Sequence, residues 1–229
     1  MLIRQPLPGR RKGMFEFFKE EAKVIQDRDP AIKSPMEVIL YPSYRAIVYY
    51  RLSHRLYKKQ HYFLARAVSQ FATRRTGIEI HPGATIGKGL FIDHGAGVVI
   101  GETTIIGDNV TLFQGVTLGG NGKEKGKRHP TIEDNVMISA GAKVLGSFTV
   151  GKGSKIGAGS VVLQEVPPYS TVVGVPGHVV KRKDTRVPTA DMDHIHMPDV
   201  VMNDIEELTK RIEMLEKQLA EKEKGETKA

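Results

Sequence analysis

The sequence predicts an α+β chain made of an N-terminal helical region, a left-handed parallel β-helix and a C-terminal heptad helix. Three periodicities carry that prediction. Apolar residues recur every three to four positions before Gly77, an isoleucine, valine or leucine recurs every six from Ile80, and steps of four and three alternate from Val201. At 229 residues and 40% hydrophobic content, the chain has enough apolar mass for a packed core.

Residues 1–76 form the helical region. Ser34-Pro35-Met36-Glu37 reads as a capping box with proline at the first helical position, and VILYPSYRAIVYYRLSHRLYKK after it keeps the helical spacing. Pro42 lacks an amide proton and should break that helix near Tyr41. A second helix over about 61–75 should stop at the glycine of RRTG, because glycine takes the left-handed turn that ends a helix.

Residues 77–180 count in sixes. Ile80, Ile86, Ile92 and Val98 share one frame; Ile100, Ile106, Leu112 and Leu118 share a second, offset by two; Ile132, Ile138, Val144, Val150, Ile156 and Val162 share a third. Small or β-branched residues follow four positions later at Ala84, Val110, Val116, Val136, Ala142 and Ser160. A short strand with one aliphatic side chain inward, then a tight turn, repeated three times, closes a triangular coil of about 18 residues. Stacked coils then rest each aliphatic side chain on the one 18 residues earlier, at a strand spacing of roughly 4.8 Å. The step from Leu118 to Ile132 is one hexad plus eight residues, and the excess extrudes within the loop GGNGKEKGKRHP.

A polar linker over 181–200 leads to the last element, 201–229. There Val201, Ile205, Leu208, Ile212, Leu215 and Leu219 form a short heptad stripe, flanked by the pairs Glu206/Lys210, Glu207/Arg211 and Glu213/Lys217. The final AEKEKGETKA has no apolar face and should fray.

Composition excludes several chemistries. With no cysteine there is no disulfide, thiolate metal site or cysteine nucleophile. The formal charge of +8 is split among the short clusters GRRK, RLYKKQH, KEKGKR and KRK with few aromatics between them, which suits a phosphorylated small molecule and argues against a nucleic-acid partner. No apolar run reaches the roughly 18 residues needed to span a bilayer, and the basic N-terminus lacks an apolar signal core, so no membrane partner is expected and a cytoplasmic location is.

The core of such a solenoid is filled and its faces are flat, so function must come from edges, loops or a second subunit. Asp93-His94 interrupts a hexad where the frame slips by two, and Gly95-Ala96-Gly97 leaves space beside the imidazole, which makes His94 the candidate base. The extruded loop offers Arg128, whose planar fork suits a carboxylate, followed by a second imidazole at His129.

The block from IEIHPGATIGKGLFIDHGAGVVIGET through TLGGNG and KRHP to KIGAGSVVLQEVPP and GVPG, together with DRDPA in the helical region, resembles the serine O-acetyltransferases, a hexapeptide-repeat acyltransferase family. The resemblance covers roughly residues 20–180. It implies acetyl-CoA as co-substrate, L-serine as acceptor, cysteine biosynthesis as context and no metal. It implies His94 as general base, oriented by Glu79 where the family carries an aspartate one methylene shorter. Asp29 and Asp93 would hold the serine amino group, Arg128 its carboxylate, and His129 would be its neighbour in the pocket. Gly120, Ala140 and Ala158 would let the pantetheine arm approach, with Lys155, and less directly Lys143 and Lys181, meeting the phosphates. A homotrimer is expected, or a hexamer built from two trimers. Family members with a tail closing in isoleucine enter cysteine synthase; this chain closes in GETKA, and GVPGHVV replaces the commoner GVPAR.

Two other readings remain at this point. A related acetyltransferase acting on a sugar or antibiotic hydroxyl would use a similar histidine. A β-helical carbonic anhydrase would bind zinc through three histidines, for which His81, His94 and His129 are available. His194 and His196 of DMDHIHMPD have no assigned role.

Overall fold

The computed structural model describes residues 14–122, 125–182 and 208–218. The chain forms two compact units, Met1–Ile195 and His196–Ala229. In the first, helix α1 (Met14–Arg28), a 3-10 helix (Pro35–Leu40), α2 (Pro42–Lys58) and α3 (Tyr62–Thr76) precede the strands. In the second, residues 208–218 are helical, with Leu208, Ile212 and Leu215 all more than half exposed. Ile205, Leu219, the histidines 194 and 196 and the expected fraying tail lie outside the described residues.

The strands form three faces of a hexapeptide-repeat β-helix. Face A stacks Glu79–Ile80, Val99–Ile100, Thr117–Gly119, Lys143–Leu145 and Val161–Val162. Face B stacks Thr85–Ile86, Ile105–Ile106, Thr131–Ile132 and Thr149–Val150. Face C stacks Phe91–Ile92, Thr111–Leu112, Met137–Ile138, Lys155–Ile156 and Ser170–Val173, and ends with His178–Arg182 running antiparallel. All fourteen hexad residues are buried, none more than 6% exposed, and the small residues at the fourth following position fill the corners beneath them.

The stacking step of 18 holds between Ile100 and Leu118 and again from Ile132 to Val150, Ile138 to Ile156 and Val144 to Val162. It does not hold in the first coil. Ile80 pairs with Ile100, Ile86 with Ile106 and Ile92 with Leu112, a step of 20, because two residues are inserted at the corner that holds His94. Across the extruded loop the step is 26, as in Ile106 to Ile132.

The helix expected from Ser34 is replaced by a single 3-10 stretch. Pro42 confines Tyr41 to an extended conformation (φ −64, ψ 127), so the segment has only six residues in which to coil. Ser34 makes no side-chain cap, and Glu37 Oε2 instead accepts the Lys33 amide at 3.2 Å. The other helix boundaries follow the expectation, with α2 starting at Pro42 and α3 closing on Gly77 at φ 71.

The helices cap the open edge of the first coil. In this solenoid each coil donates its amides to the carbonyls of the next, as in His81 N to Ile100 O at 2.9 Å, which leaves first-coil carbonyls facing the helices. Tyr50 Oη donates to Ala84 O at 2.7 Å, Arg51 to Ile86 O and Gly87 O at 2.8 and 2.7 Å, and Ser69 Oγ to Ile80 O at 2.9 Å. His54 Nδ1 meets Pro82 O at 2.7 Å and therefore carries the proton. Behind this layer α1 docks through Ile25 against Val38 and Phe91, while Arg28 reaches Thr111 Oγ1 and Asn109 Oδ1 and lies over the Phe91 ring.

Candidate active site

Two corners of the coil gather the candidate residues. At the corner from face C to face A, each coil contributes a short glycine-containing turn. The amide of Gly115 donates to Ala96 O, that of Gly141 to Gln114 O and that of Gly159 to Ala140 O, so Ala96, Gln114, Ala140 and Ala158 form a column parallel to the solenoid axis. His94 stands at the head of that column. It adopts φ 57, a left-handed conformation unusual for a residue with a Cβ, inside the two-residue insertion. Its side chain is 78% exposed, and its Nε2 lies 3.9 Å from Asp93 Oδ1.

Asp29 is delivered to the same corner by the end of α1. Its Oδ1 accepts the Ala31 amide at 2.8 Å, and its carboxylate bonds the Tyr41 hydroxyl. That hydrogen bond, with slight burial and the charges of Asp29, Glu37 and Asp93, pushes the Tyr41 hydroxyl above its ordinary pKa. Asp29, Tyr41, Asp93 and His94 are thus one acidic group around an exposed imidazole.

The second corner, from face A to face B, holds Arg128 and His129. Arg128 Nη2 lies 2.5 Å from Glu102 Oε2, and Glu102 Oε1 accepts the Tyr57 hydroxyl at 3.0 Å. The Arg128 bond holds the Glu102 carboxyl below its usual range. His129 is 8% exposed, and a Cβ at Gly101 would overlap its ring. Burial, then the Arg128 charge, pushes its pKa down. His81 accepts the Gly83 amide at Nδ1 and is also pushed down, mainly by burial. A pocket of about 320 Å³ opens beside this cluster, lined by Tyr57, Tyr62, Arg66, His81, Pro82 and Glu102.

Set against the sequence reading, the structure brings Asp29, Asp93 and His94 together and brings Arg128, His129 and Gly120 together, but on different corners. Gly120 belongs with the loop, where an added Cβ would lie 3.0 Å from Arg128 O. Ala140 and Ala158 belong with His94. Glu79, on face A, makes no hydrogen bond or ion pair with His94 among the described residues; its charge acts on His81, and Asp93 is the carboxylate beside His94. Lys155 lies half-buried on face C, and Lys143 donates to Gly141 O at 3.2 Å. His81 and His129 share one corner while His94 occupies another. Among the described residues no group of three histidine or carboxylate side chains is placed to hold a metal.

Sequence reasoning missed Tyr41, Tyr57, Glu102 and Thr103. The GET of residues 101–103 was visible as a motif, but nothing in the hexad pattern tells that its side chains face an insertion 26 residues later. The tyrosines come from helices whose docking the repeat does not encode.

Comparison with known proteins places these features. The model of the bacterial transferase hexapeptide family (six repeats) matches residues 129–164. A serine acetyltransferase of Bacillus licheniformis is 58% identical over 211 residues, covering 92% of this chain and 97% of that protein. The structure of serine acetyltransferase from Vibrio cholerae aligns with a TM-score of 0.75 at 43% identity, covering 80% of this chain and 71% of that one. The Neisseria gonorrhoeae serine acetyltransferase in complex with serine aligns at 0.69 and 43%, covering 73% and 69%. The Brucella abortus serine acetyltransferase in complex with coenzyme A aligns at 0.71 and 42%, covering 75% and 69%.

Proposed function

Because the chain belongs to the serine acetyltransferase family, we propose that it transfers the acetyl group of acetyl-CoA to the hydroxyl of L-serine, giving O-acetylserine and CoA for cysteine biosynthesis in the cytoplasm. The observation that carries this reading is that the likeness runs through nearly the whole chain, both corners included, and not through the repeats alone. No helix among the described residues is long and apolar enough to cross a membrane.

His94 is the general base. A serine hydroxyl is almost un-ionised near pH 7, so an imidazole must take its proton as the oxygen attacks the thioester carbonyl. The carbon–sulfur bond then breaks, and the CoA thiolate leaves with the proton from the imidazolium. Asp93 stabilises that imidazolium and, with Asp29, receives the serine ammonium. Arg128 offers its fork to the serine carboxylate with His129 beside it. Glu79 is proposed to orient His94, as the resemblance implies, although within one chain its charge falls on His81. The column Ala140–Ala158 gives the pantetheine arm close approach, Gly120 does the same from the other corner, and Lys155 attracts the phosphates.

A single serine cannot touch both corners of one chain. They lie at opposite ends of the face A strand Val99–Ile100, and the three steps from residue 98 to residue 101 span about 10 Å at roughly 3.3 Å per residue. The site is therefore shared between copies, with His94 from one and Arg128 from the next. A homotrimer, which the family resemblance implies, would close this contact into a ring of three.

The test is thiol release from acetyl-CoA with L-serine, compared with L-homoserine, galactosides and chloramphenicol. Serine should be the preferred acceptor by kcat/KM. Preference for a galactoside or for chloramphenicol would transfer the chain to sugar or antibiotic acetylation.

A further inference from the structure

His129 is held by the residue that follows Glu102, and counting protons there fixes its chemistry. Peptide nitrogens can only donate. Thr103 Oγ1 accepts two of them, from Arg128 at 3.0 Å and from His129 at 3.1 Å. Its own hydrogen is left to point at His129 Nδ1, 2.9 Å away. The Thr103 amide also donates to that Nδ1, at 3.3 Å. A ring nitrogen that receives two donors carries a lone pair, so the proton of the neutral imidazole sits on Nε2.

From this geometry we infer that Thr103 is a positioning residue that locks His129 as the Nε2–H tautomer, making it a fixed hydrogen-bond donor to the serine carboxylate and leaving His94 as the one base. The inference rests on the serine-pocket reading above. The Nε2 edge lies against glycines: a Cβ at Gly101 would overlap the ring, and one at Gly120 would come within 3.3 Å of Nε2. A carboxylate entering beside the Arg128 guanidinium meets that edge. Lys127 holds the frame together by donating to Thr103 O at 2.9 Å and His129 O at 2.6 Å. The charges around the ring are Arg128 and Lys127 from the loop and Glu102 and His81 from the adjacent turns, and with burial they disfavour the imidazolium overall. The lock thus acts on a neutral ring near pH 7.

The experiment is histidine-selective nitrogen NMR on the full-length enzyme at pH 8, with His129→Asn identifying the signals, alongside serine kinetics. The wild type should show His129 with a bare Nδ1 and a protonated Nε2. Thr103→Ser, which keeps the hydroxyl, should hold that tautomer and keep the serine KM within about 3-fold, whereas Thr103→Val should give mixed tautomers and raise KM about 10-fold with a smaller change in kcat. An Nδ1–H tautomer in the wild type, or wild-type tautomer and KM in Thr103→Val, overturns the inference. The wild-type spectrum decides the tautomer even if Thr103→Val fails to fold. An Nε2–H tautomer together with an unchanged serine KM in Arg128→Lys would instead remove the serine pocket from this corner, and the donor role with it.

Discussion

His94 combines exposure with a backbone conformation that costs energy for any residue with a Cβ, and the two-residue insertion is what permits both. On its proposed role as base, replacing it removes proton transfer and little binding. His94→Ala should lower kcat by roughly 10²-fold or more while acetyl-CoA affinity, followed by calorimetry, stays near wild type. Near-normal turnover would eliminate His94 as the base. Gly101 makes the complementary case. Gly101→Ala pushes a methyl group into the His129 ring, so serine KM should rise by about 10-fold or more at little change in the acetyl-CoA KM. If both constants rise together, the substitution has disturbed the coil and not the pocket.

Among the elements, α2 and α3 do more than cover the solenoid, because their polar side chains complete its first row of carbonyls. Tyr50→Phe leaves Ala84 O buried without its donor and should cost about 1–2 kcal/mol of stability by denaturant titration. Glu21 adds a pH dependence. It is 3% exposed, its Oε2 has no hydrogen-bond partner among the described residues, and burial raises its pKa to about 7 against the opposing pull of Arg51, 3.6 Å away. A carboxyl raised in the folded state contributes stability that is full below its unfolded value of 4.5 and lost as pH rises to about 7. Thermal melts should therefore fall between pH 4.5 and 7, and Glu21→Gln should flatten that slope; an equally steep slope in the variant would assign the effect elsewhere. This layer also marks where the sequence stopped being legible. The hexads located the fourteen inward aliphatics of the solenoid, since one inward aliphatic per strand is a local rule, but not the core residues Ile78, Leu90, Val166 and Val172 that fall outside the count. The docking of Arg51, Tyr50 and Glu21 depends on which carbonyls a first coil leaves unpaired, a property of stacking that no window of sequence contains. The same holds for the site: His94 stood out by a frame slip, while Glu102 and Thr103 acquire their work only when the loop folds back onto them.

For the whole molecule, the proposed division of the site between corners makes activity a property of neighbouring copies. Enzyme carrying His94→Ala and enzyme carrying Arg128→Ala should each be inactive. Co-expressed in equal amounts, they should recover about a quarter of the wild-type activity, because a randomly mixed trimer joins an intact His94 to an intact Arg128 at one contact in four. No recovery in verified mixed oligomers would place both residues in one chain's site.

The column beneath His94 can also be regarded as a ruler. Ala96, Gln114, Ala140 and Ala158 are spaced by single coils, so three steps of about 4.8 Å span roughly 14 Å from the head of the column to its foot. A flexible tether laid along that column reaches the reacting imidazole only if its length agrees with the number of coils. Inserting one complete 18-residue coil below Ala140 would preserve the hydrophobic column, yet would lower the foot by one graduation. The enzyme would remain folded and would grip the nucleotide end of its co-substrate too far away for the thioester to arrive. On the proposed placement of the pantetheine arm, coil number in this solenoid is thus a length standard for the carrier it accepts.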